Sequence, residues 1–300
     1  MPKSTAHEGT ARRLGARAAL ATVACAVAFS SSLLAADNTS IPNFAPDSLT
    51  GWLKPPGDEF IQPESGPGPV KSDPAHPYVS NPGAAVPVAA RPQQTVMIAD
   101  LTNPILQPWV VEQMRKSNEE VLAGKVGFTA RSRCWPHGVP GFLLYPVHPI
   151  IFIQTAKEVV MSWGQDFQLR HAYLNVPHTI DPKPSWYGES VGRYENGDTL
   201  VVDTIALNDR TYIDNYRTPH TTQLHVVERF KLLPGGQSMV VNARVEDPGA
   251  FTMPWNAVQR YRIDHRPAEV PLHEMVCAEN NQDHFNQGLD PIPQADQPDF

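Results

Sequence analysis

A strand–turn–strand unit near the middle of the chain constrains the fold most. Glu189–Tyr194 and Thr199–Ala206 both show the residue alternation of half-buried strands, and Asn196-Gly197 lies between them. This dipeptide favours a two-residue turn in which both residues adopt positive φ. The unit therefore predicts a tight antiparallel hairpin, and its period of two indicates a mainly β protein.

The same pattern continues from Pro149 to Asp264. Eight segments are predicted as strands: Ile150–Gln154, Glu158–Trp163, Phe167–Leu174, Glu189–Tyr194, Thr199–Ala206, Thr222–Leu233, Ser238–Glu246 and Ala257–Asp264. Most are joined by short turn signals, which favours antiparallel pairing in an up-and-down order. Because closure removes the exposed edges of such a sheet, we expect a barrel of about eight strands. Its interior is expected to be filled or to hold one small ligand.

The first 36 residues have the layout of a secretory signal peptide. A basic start at Arg12-Arg13 precedes an apolar stretch from Ala18 to Leu34, and Ala35-Ala36 follows as a cleavage point. An uncleaved anchor is the alternative, and the arginine pair leaves both the general and the twin-arginine export routes open. No later segment is long and apolar enough to span a bilayer. We therefore expect a periplasmic or secreted protein with no stable membrane insertion after cleavage.

The chain after the signal peptide divides into a leader, the domain that contains the predicted strands, and a tail. Residues 37–94 are rich in Pro, Gly, Ser and Ala and are expected to form an extended or disordered leader. The barrel domain is predicted over residues 95–287. It includes an outer helix that starts at Asn103-Pro104 and stops at Gly124, and a weaker helix candidate at His273–Phe285. Residues 288–300 are expected to be a flexible tail.

Charge and cysteine content narrow the partners and the compartment. The net charge of −7 argues against a nucleic-acid partner, which requires a basic face. The chain has three cysteines, and Cys25 would leave with the signal peptide. Cys134 and Cys277 would then form a disulfide in an oxidising compartment, with two buried thiols as the alternative.

Several motifs resemble a large, mostly uncharacterised family of exported bacterial proteins. They are Arg131–Gly141, Pro184–Gly192, Gly197–Thr204, Leu224–Phe230 and Cys277–Asn281. The resemblance covers roughly residues 129–281 and implies an exported protein with a lipocalin-like barrel; it carries no catalytic role. The chain departs from the family pattern at His171-Ala-Tyr173, where relatives often have an Ile-Tyr pair, which argues against a general catalytic role for His171.

Alternation along the predicted strands selects the candidate acid–base residues. In one strand Leu169, His171 and Tyr173 share a side, and in another Val226 and Glu228 share a side with apolar neighbours. Both sides are mainly apolar, so we expect them to point into the barrel. His171 and Glu228 could then form an acid–base pair in the interior. The alternative is a structural pair, or a bridge from Glu228 to an arginine such as Arg193 or Arg260.

A second group of polar residues is expected around the mouth of the barrel. Asp203 ends an apolar strand, Asn208-Asp209 follows, and Tyr212 and His220 lie beyond it. Local Asx turns are the alternative role for the acidic and amide side chains. Tyr173, Trp186 and Arg260 complete the predicted ligand-binding set with Tyr212 and His220, although tryptophans more often pack in a core or at its rim.

The chain lacks a recognised metal-ligand spacing, a phosphate loop and a dinucleotide motif, so no metal or cofactor is expected. The leading hypothesis is a periplasmic barrel that binds a small apolar or aromatic molecule in its interior. The alternative is a cofactor-independent hydrolase, lyase or isomerase that uses His171, Glu228 and Asp203 in the same cavity. A structural envelope protein is the third possibility and would require an interior packed with side chains.

Overall fold

The computed structural model describes residues 41–46, 51–55, 57, 59–79, 97–125, 127, 134–144, 149–163 and 168–264. The chain divides into two compact units, residues 1–38 and 39–300, and all described residues belong to the second. The predicted signal peptide, the helix candidate His273–Phe285, the tail and Cys277 lie outside the described residues. Within the described ranges, no helix combines the length and the apolar character that crossing a bilayer requires.

The second unit is mainly β and forms a closed barrel of nine strands. Their bounds are β1 Gly51–Leu53, β2 Ile150–Gln154, β3 Glu158–Trp163, β4 Gln168–Leu174, β5 Glu189–Glu195, β6 Thr199–Ile205, β7 His225–Leu232, β8 Ser238–Glu246 and β9 Trp255–Asp264. Each strand pairs with its neighbour in sequence, and β1 also pairs with β9 and closes the ring. The predicted barrel and the predicted strand order are therefore confirmed.

Two features of the barrel differ from the sequence prediction. The first is β1, a ninth strand that lies in the segment predicted as a leader, with Trp52 fully buried. The second is the pairing of β4 with β5, which is parallel and extends only from Ala172–Ser190 to Leu174–Gly192. A parallel pair cannot be joined by a tight turn and requires a long connection, here residues 175–188. The expectation of antiparallel pairing throughout was therefore wrong at this seam.

The hairpin between β5 and β6 has the predicted turn. Asn196 and Gly197 have φ values of 55° and 72°, and the strands pair in register from Glu195–Thr199 to Glu189–Ile205. Positive φ at both central residues gives the turn the twist of the flanking strands. This local geometry fixes which residues of β5 and β6 face outward, and both strands contribute to the candidate site.

The single described α-helix, α1, spans Pro108–Leu122. It begins later than predicted, because Pro108 and not Pro104 occupies its first turn. Asn103 instead forms a local turn in which its Oδ1 accepts a hydrogen bond from the Ile105 backbone at 3.2 Å. Gly124 ends the helix with φ of +86°, as its position predicts. Val110 and Met114 lie on its buried face.

Bulky side chains occupy the inward positions of the barrel and form one hydrophobic core. The fully buried members include Trp52, Phe152, Met161, Trp163, Phe230, Met239, Val241 and Trp255. A 3-10 segment at Gly141–Leu144 is buried in the same core, and the Tyr261 hydroxyl donates to the Leu143 carbonyl at 2.7 Å. Because these inward residues pack against one another, a functional site is expected either at the polar inward positions or on the outer wall.

Candidate functional site

The only described ion pair between fully buried side chains joins β4 to β7. Arg170 donates through Nη2 to Glu228 Oε2 and, at 2.8 Å, to Thr204 Oγ1, while its Nε donates to Ser190 Oγ at 3.3 Å. Glu228 therefore points inward as predicted, but its partner is Arg170. Arg193 and Arg260 are exposed on the outside, so they do not provide the alternative bridge.

The face predicted for β4 was wrong. Arg170, Ala172 and Leu174 are the buried residues of this strand, and Leu169, His171 and Tyr173 are exposed. The wrong face was predicted because the more apolar side of a strand is expected to point inward. An arginine is buried only when a carboxylate pairs with it, and here that carboxylate, Glu228, is distant in sequence. His171 lies outside the barrel and Glu228 inside it, so the predicted His171–Glu228 acid–base pair does not form. His171 Nδ1 instead lies 2.9 Å from Glu158 Oε2.

An open cleft of about 590 Å³ lies on the outer wall at the β4–β5 seam. Three residues of the sequence prediction line it, namely His171, Tyr173 and Trp186. The connecting segment 175–188 contributes most of the remaining wall, including Lys183 and Tyr187. The predicted residues are thus brought together, but on the outside of the barrel. The cleft exists because the short parallel ladder leaves the first part of β4 without a partner on that side.

Aromatic packing holds the wall of the cleft. The rings of Trp186 and Trp135 lie 5.4 Å apart, and Tyr187 packs edge-on against Phe142 at 5.8 Å. The Tyr187 hydroxyl donates to Gln168 Oε1 across the open part of the seam. Trp186 is half-buried and Tyr173 is 49 % exposed, so both rings present accessible faces. Such amphipathic rings combine apolar contact area with polar groups that can orient a ligand.

Asp203 is the centre of a second polar cluster on the outer wall. Its Oδ1 lies 2.8 Å from His225 Nε2 and 3.2 Å from His178 Nε2. The other ring nitrogen of His178 lies 3.0 Å from Glu189 Oε1, and Glu246 Oε2 lies 3.9 Å from His225 Nδ1. We call these five residues the outer carboxylate–histidine network. Glu189 also lines the cleft, so the two sites share one residue.

The network shifts the pKa values of its members in opposite directions. The hydrogen bond with His225 is the main cause that lowers the pKa of Asp203, against the opposing effect of burial. The same bond raises the pKa of His225. At Glu189 burial raises the pKa, but hydrogen bonds from Thr179 and His178 outweigh it and the net pKa is lowered. These shifts favour the charged form of Asp203 and the protonated form of His225.

The other predicted residues lie apart from the cleft. His220 is buried, with Nε2 at 2.9 Å from Thr211 Oγ1, and burial lowers its pKa. Tyr212 is half-buried in the same loop. Asn208 forms the Asx turn that was the alternative role, since its Oδ1 accepts from the Arg210 backbone at 3.1 Å. Arg260 is on the outer face of β9, which removes it from an interior site.

The described residues bear on the metal prediction and on one of the two cysteines of the predicted disulfide. Among the described residues, no group of three or more His, Cys, Asp and Glu side chains is arranged to hold a metal ion. Cys134 takes part in a disulfide bond. Its predicted partner Cys277 lies outside the described residues, so the Cys134–Cys277 pairing stays a prediction.

Comparisons with known proteins assign no function to these sites. No protein-family model, curated protein or solved structure matches the chain. The family resemblance inferred from the motifs therefore stays a prediction, and the function is inferred from the geometry of the cleft and of the network. Arg170 and His178 were not among the predicted site residues. The long connection after β4 was the one signal that could have indicated a parallel seam and the wall segment that carries His178.

Proposed function

We propose that the protein is an exported barrel that binds a small aromatic or apolar molecule in the outer cleft at the β4–β5 seam. The supporting observation is that Tyr173 and Trp186, together with His171, line one cleft of about 590 Å³. This volume lies in the range of small-molecule sites, and such sites combine apolar walls with a few polar groups. The bulky inward side chains count against the interior as the binding site, so the location differs from the original hypothesis.

The cleft offers suitable chemistry for a flat ligand. The faces of Trp186 and Tyr173 can stack on an aromatic ring, and Lys183 can meet a polar or anionic substituent. Lys183 is exposed, as is Asp181 on the same wall. We therefore expect the rings to provide most of the affinity and the charged residues to orient the ligand.

The proposed compartment rests on the sequence. The signal-peptide layout, the family resemblance and the pair of cysteines in the mature chain support export to the periplasm or beyond. The net charge of −7 supports a partner other than nucleic acid. We propose that the mature protein captures its ligand outside the cytoplasm without a stable membrane anchor.

Native mass spectrometry of the protein purified from its own periplasm tests the binding proposal. We expect a retained small molecule in the wild type and its loss in Trp186→Ala. Trp109→Ala is the matched control, because Trp109 is an exposed tryptophan on α1 that does not line the cleft. A ligand retained equally by Trp186→Ala and the wild type would contradict the proposal.

One observation favours a cofactor-independent enzyme as the second candidate. Asp203 orients two imidazoles, and His225 Nδ1 faces Glu246 only at 3.9 Å, beyond hydrogen-bonding distance. An imidazole held in this way can act as a general base. This proposal keeps Asp203 from the original set and replaces His171 and Glu228 with His178 and His225.

A panel of activated aryl esters tests this candidate. If the network transfers protons, wild-type protein hydrolyses at least one ester, and Asp203→Asn lowers the rate by roughly 10² to 10⁴. His76→Gln serves as the control, since His76 pairs with Asp73 and belongs to neither the network nor the cleft lining. Equal rates for Asp203→Asn and the wild type would rule out this role of the network.

A further inference from the structure

The segment 175–188 forms the outer wall of the cleft and has no helix or strand of its own. It connects two parallel strands and must therefore cross the outside of the barrel. Near its end, the Ser185 backbone donates to the Ala206 carbonyl at 3.0 Å and accepts from Asn208 at 2.9 Å. These bonds do not involve titratable groups, so this end of the segment is fixed independently of pH.

At the other end, the Asn175 backbone donates to the Gly192 carbonyl at 2.8 Å, and the residues that follow are fixed by side chains. The backbone and hydroxyl of Thr179 each donate to the Glu189 carboxylate at 2.8 Å. His178 lies between two carboxylates, with Nδ1 at 3.0 Å from Glu189 Oε1 and Nε2 at 3.2 Å from Asp203 Oδ1. Among these contacts His178 is the only titratable group that the segment itself contributes.

The protonation state of His178 decides whether both contacts are attractive. A neutral imidazole has one N–H and one lone pair, so it donates to one carboxylate and places the lone pair against the other. An imidazolium donates to both and also neutralises part of their charge. Both contacts are therefore attractive only when the imidazole carries its second proton.

The surroundings of His178 are mainly anionic. Glu189 faces it from β5 and Asp203 from β6, while His225 on β7 reaches Asp203 from the other side. Glu246 on β8 lies next to His225. The network thus has three carboxylates for two imidazoles, and the second imidazole competes with His178 for Asp203.

We propose that His178 is a positioning residue that acts as a proton-operated clasp on the cleft. When protonated, it holds residues 176–181 against β5 and β6 and keeps this part of the cleft wall, which includes Thr179 and Asp181, in place. When it loses its proton, these residues detach, and the cleft loses affinity for its ligand. The effect on affinity rests on the proposed function, whereas the clasp itself does not require that a ligand binds.

Hydrogen–deuterium exchange of the ligand-free, full-length protein tests the clasp. After correction for the intrinsic rate, amides of residues 176–181 should exchange roughly tenfold faster at about pH 8 than at about pH 5. His178→Gln should exchange fast at both pH values. His178→Arg, which keeps a permanent cation, should restore protection at the higher pH. His76→Gln is the matched control and should retain the pH dependence, because His76 pairs with Asp73 and belongs to neither the segment nor the network.

Equal protection of the wild-type segment at both pH values would overturn the clasp, as would a His178→Gln variant with the wild-type pH profile. Titration with indole, followed by tryptophan fluorescence, then separates the two proposals. Affinity that falls with rising pH in the wild type, but not in His178→Arg, supports both. Exchange that follows the prediction without indole binding at either pH supports the clasp and counts against the aromatic cleft.

Discussion

Glu228 and Asp203 lie one register step apart on neighbouring strands, because Val202 pairs with Glu228 and Asp203 pairs with Val227. Glu228 points inward and is 0 % exposed, whereas the Asp203 side chain points outward and is 31 % exposed. Both carboxylates contact cationic or titratable partners. The inner one meets an arginine, which stays charged, and the outer one meets two histidines, which change charge near neutral pH.

The two carboxylates therefore differ in role: the inner one belongs to a structural ion pair, and the outer one belongs to a network whose charge can change with pH. Removing one member of a buried ion pair leaves an uncompensated charge in a medium of low dielectric constant. An exposed pair is screened by water and contributes less, but its protonation can follow the surroundings. The inner pair therefore fixes how β4 and β7 face the core, and the outer network provides the pH response on the wall.

The largest effect is expected for the inner pair. Glu228→Ala should lower the free energy of unfolding by about 3–5 kcal/mol, because Arg170 is left buried without its carboxylate. The double variant Arg170→Met/Glu228→Leu should recover most of that loss, since neither charge remains. Urea unfolding measures both. A loss below about 1 kcal/mol for Glu228→Ala would show that the pair is not buried as described.

Next in size is the backbone fit at the seam. Gly188 has φ of +62°, and a Cβ there would lie 2.2 Å from the Ile205 carbonyl oxygen. Gly188→Ala should cost about 1–3 kcal/mol and displace the cleft wall. Gly235→Ala is the control, because Gly235 has φ of +88° and no atom within 4 Å of the added Cβ. Thermal unfolding of the two variants separates steric clash from backbone strain, and equal losses would contradict the close approach.

A smaller effect is expected for the outer network. The raised pKa of His225 stabilises the fold below about pH 6.5, and this contribution is lost as the pH rises through the raised value. The lowered pKa of Asp203 stabilises the fold above about pH 4 and is lost as the pH falls through the lowered value. The network should therefore contribute most between these limits.

Asp203→Asn tests that window. The partly exposed site should lose up to about 1 kcal/mol near pH 5.5 and lose less near pH 8, which flattens the dependence of stability on pH. Unfolding free energies measured across this range provide the comparison. An Asp203→Asn profile parallel to that of the wild type would argue against coupling between Asp203 and the histidines.

The smallest effect is expected for an ordinary surface pair. Arg229 donates to Glu195 on the outer wall, and both side chains are partly exposed. Arg229→Ala should change the free energy of unfolding by less than about 0.5 kcal/mol. This variant provides the baseline against which the effect of Asp203→Asn is measured, and a larger loss would mean that outward position alone does not make a charge pair weak.

The sequence predicted the parts of the fold that depend on local patterning. The eight predicted strands match β2–β9 to within three residues, and the Asn196-Gly197 turn has the expected conformation. The three residues of β1 are too few for a periodic signal, and their pairing with β9 depends on contacts distant in sequence. Local patterning also cannot identify a parallel pair, although the length of the connection before Glu189 indicated one.

The candidate site was predicted less well, for a related reason. His171, Tyr173 and Trp186 do line one cleft. The face of β4 was inverted because Arg170 is buried only by virtue of Glu228, which lies 58 positions further along the chain. His178 was not selected, because its two carboxylates come from β5 and β6 and the connecting segment has no period that would assign it a face.

The placement of β1 has a consequence for shortened forms of the chain. Gly51–Leu53 bonds to both β2 and β9, so these two strands have no free edge in the ring. A truncation that removed everything before residue 55 would leave two unpaired rows of backbone donors and acceptors, which recruit strands from other molecules. Gly51–Leu53 thus covers strand edges of β2 and β9 that would otherwise be open to pairing with another chain.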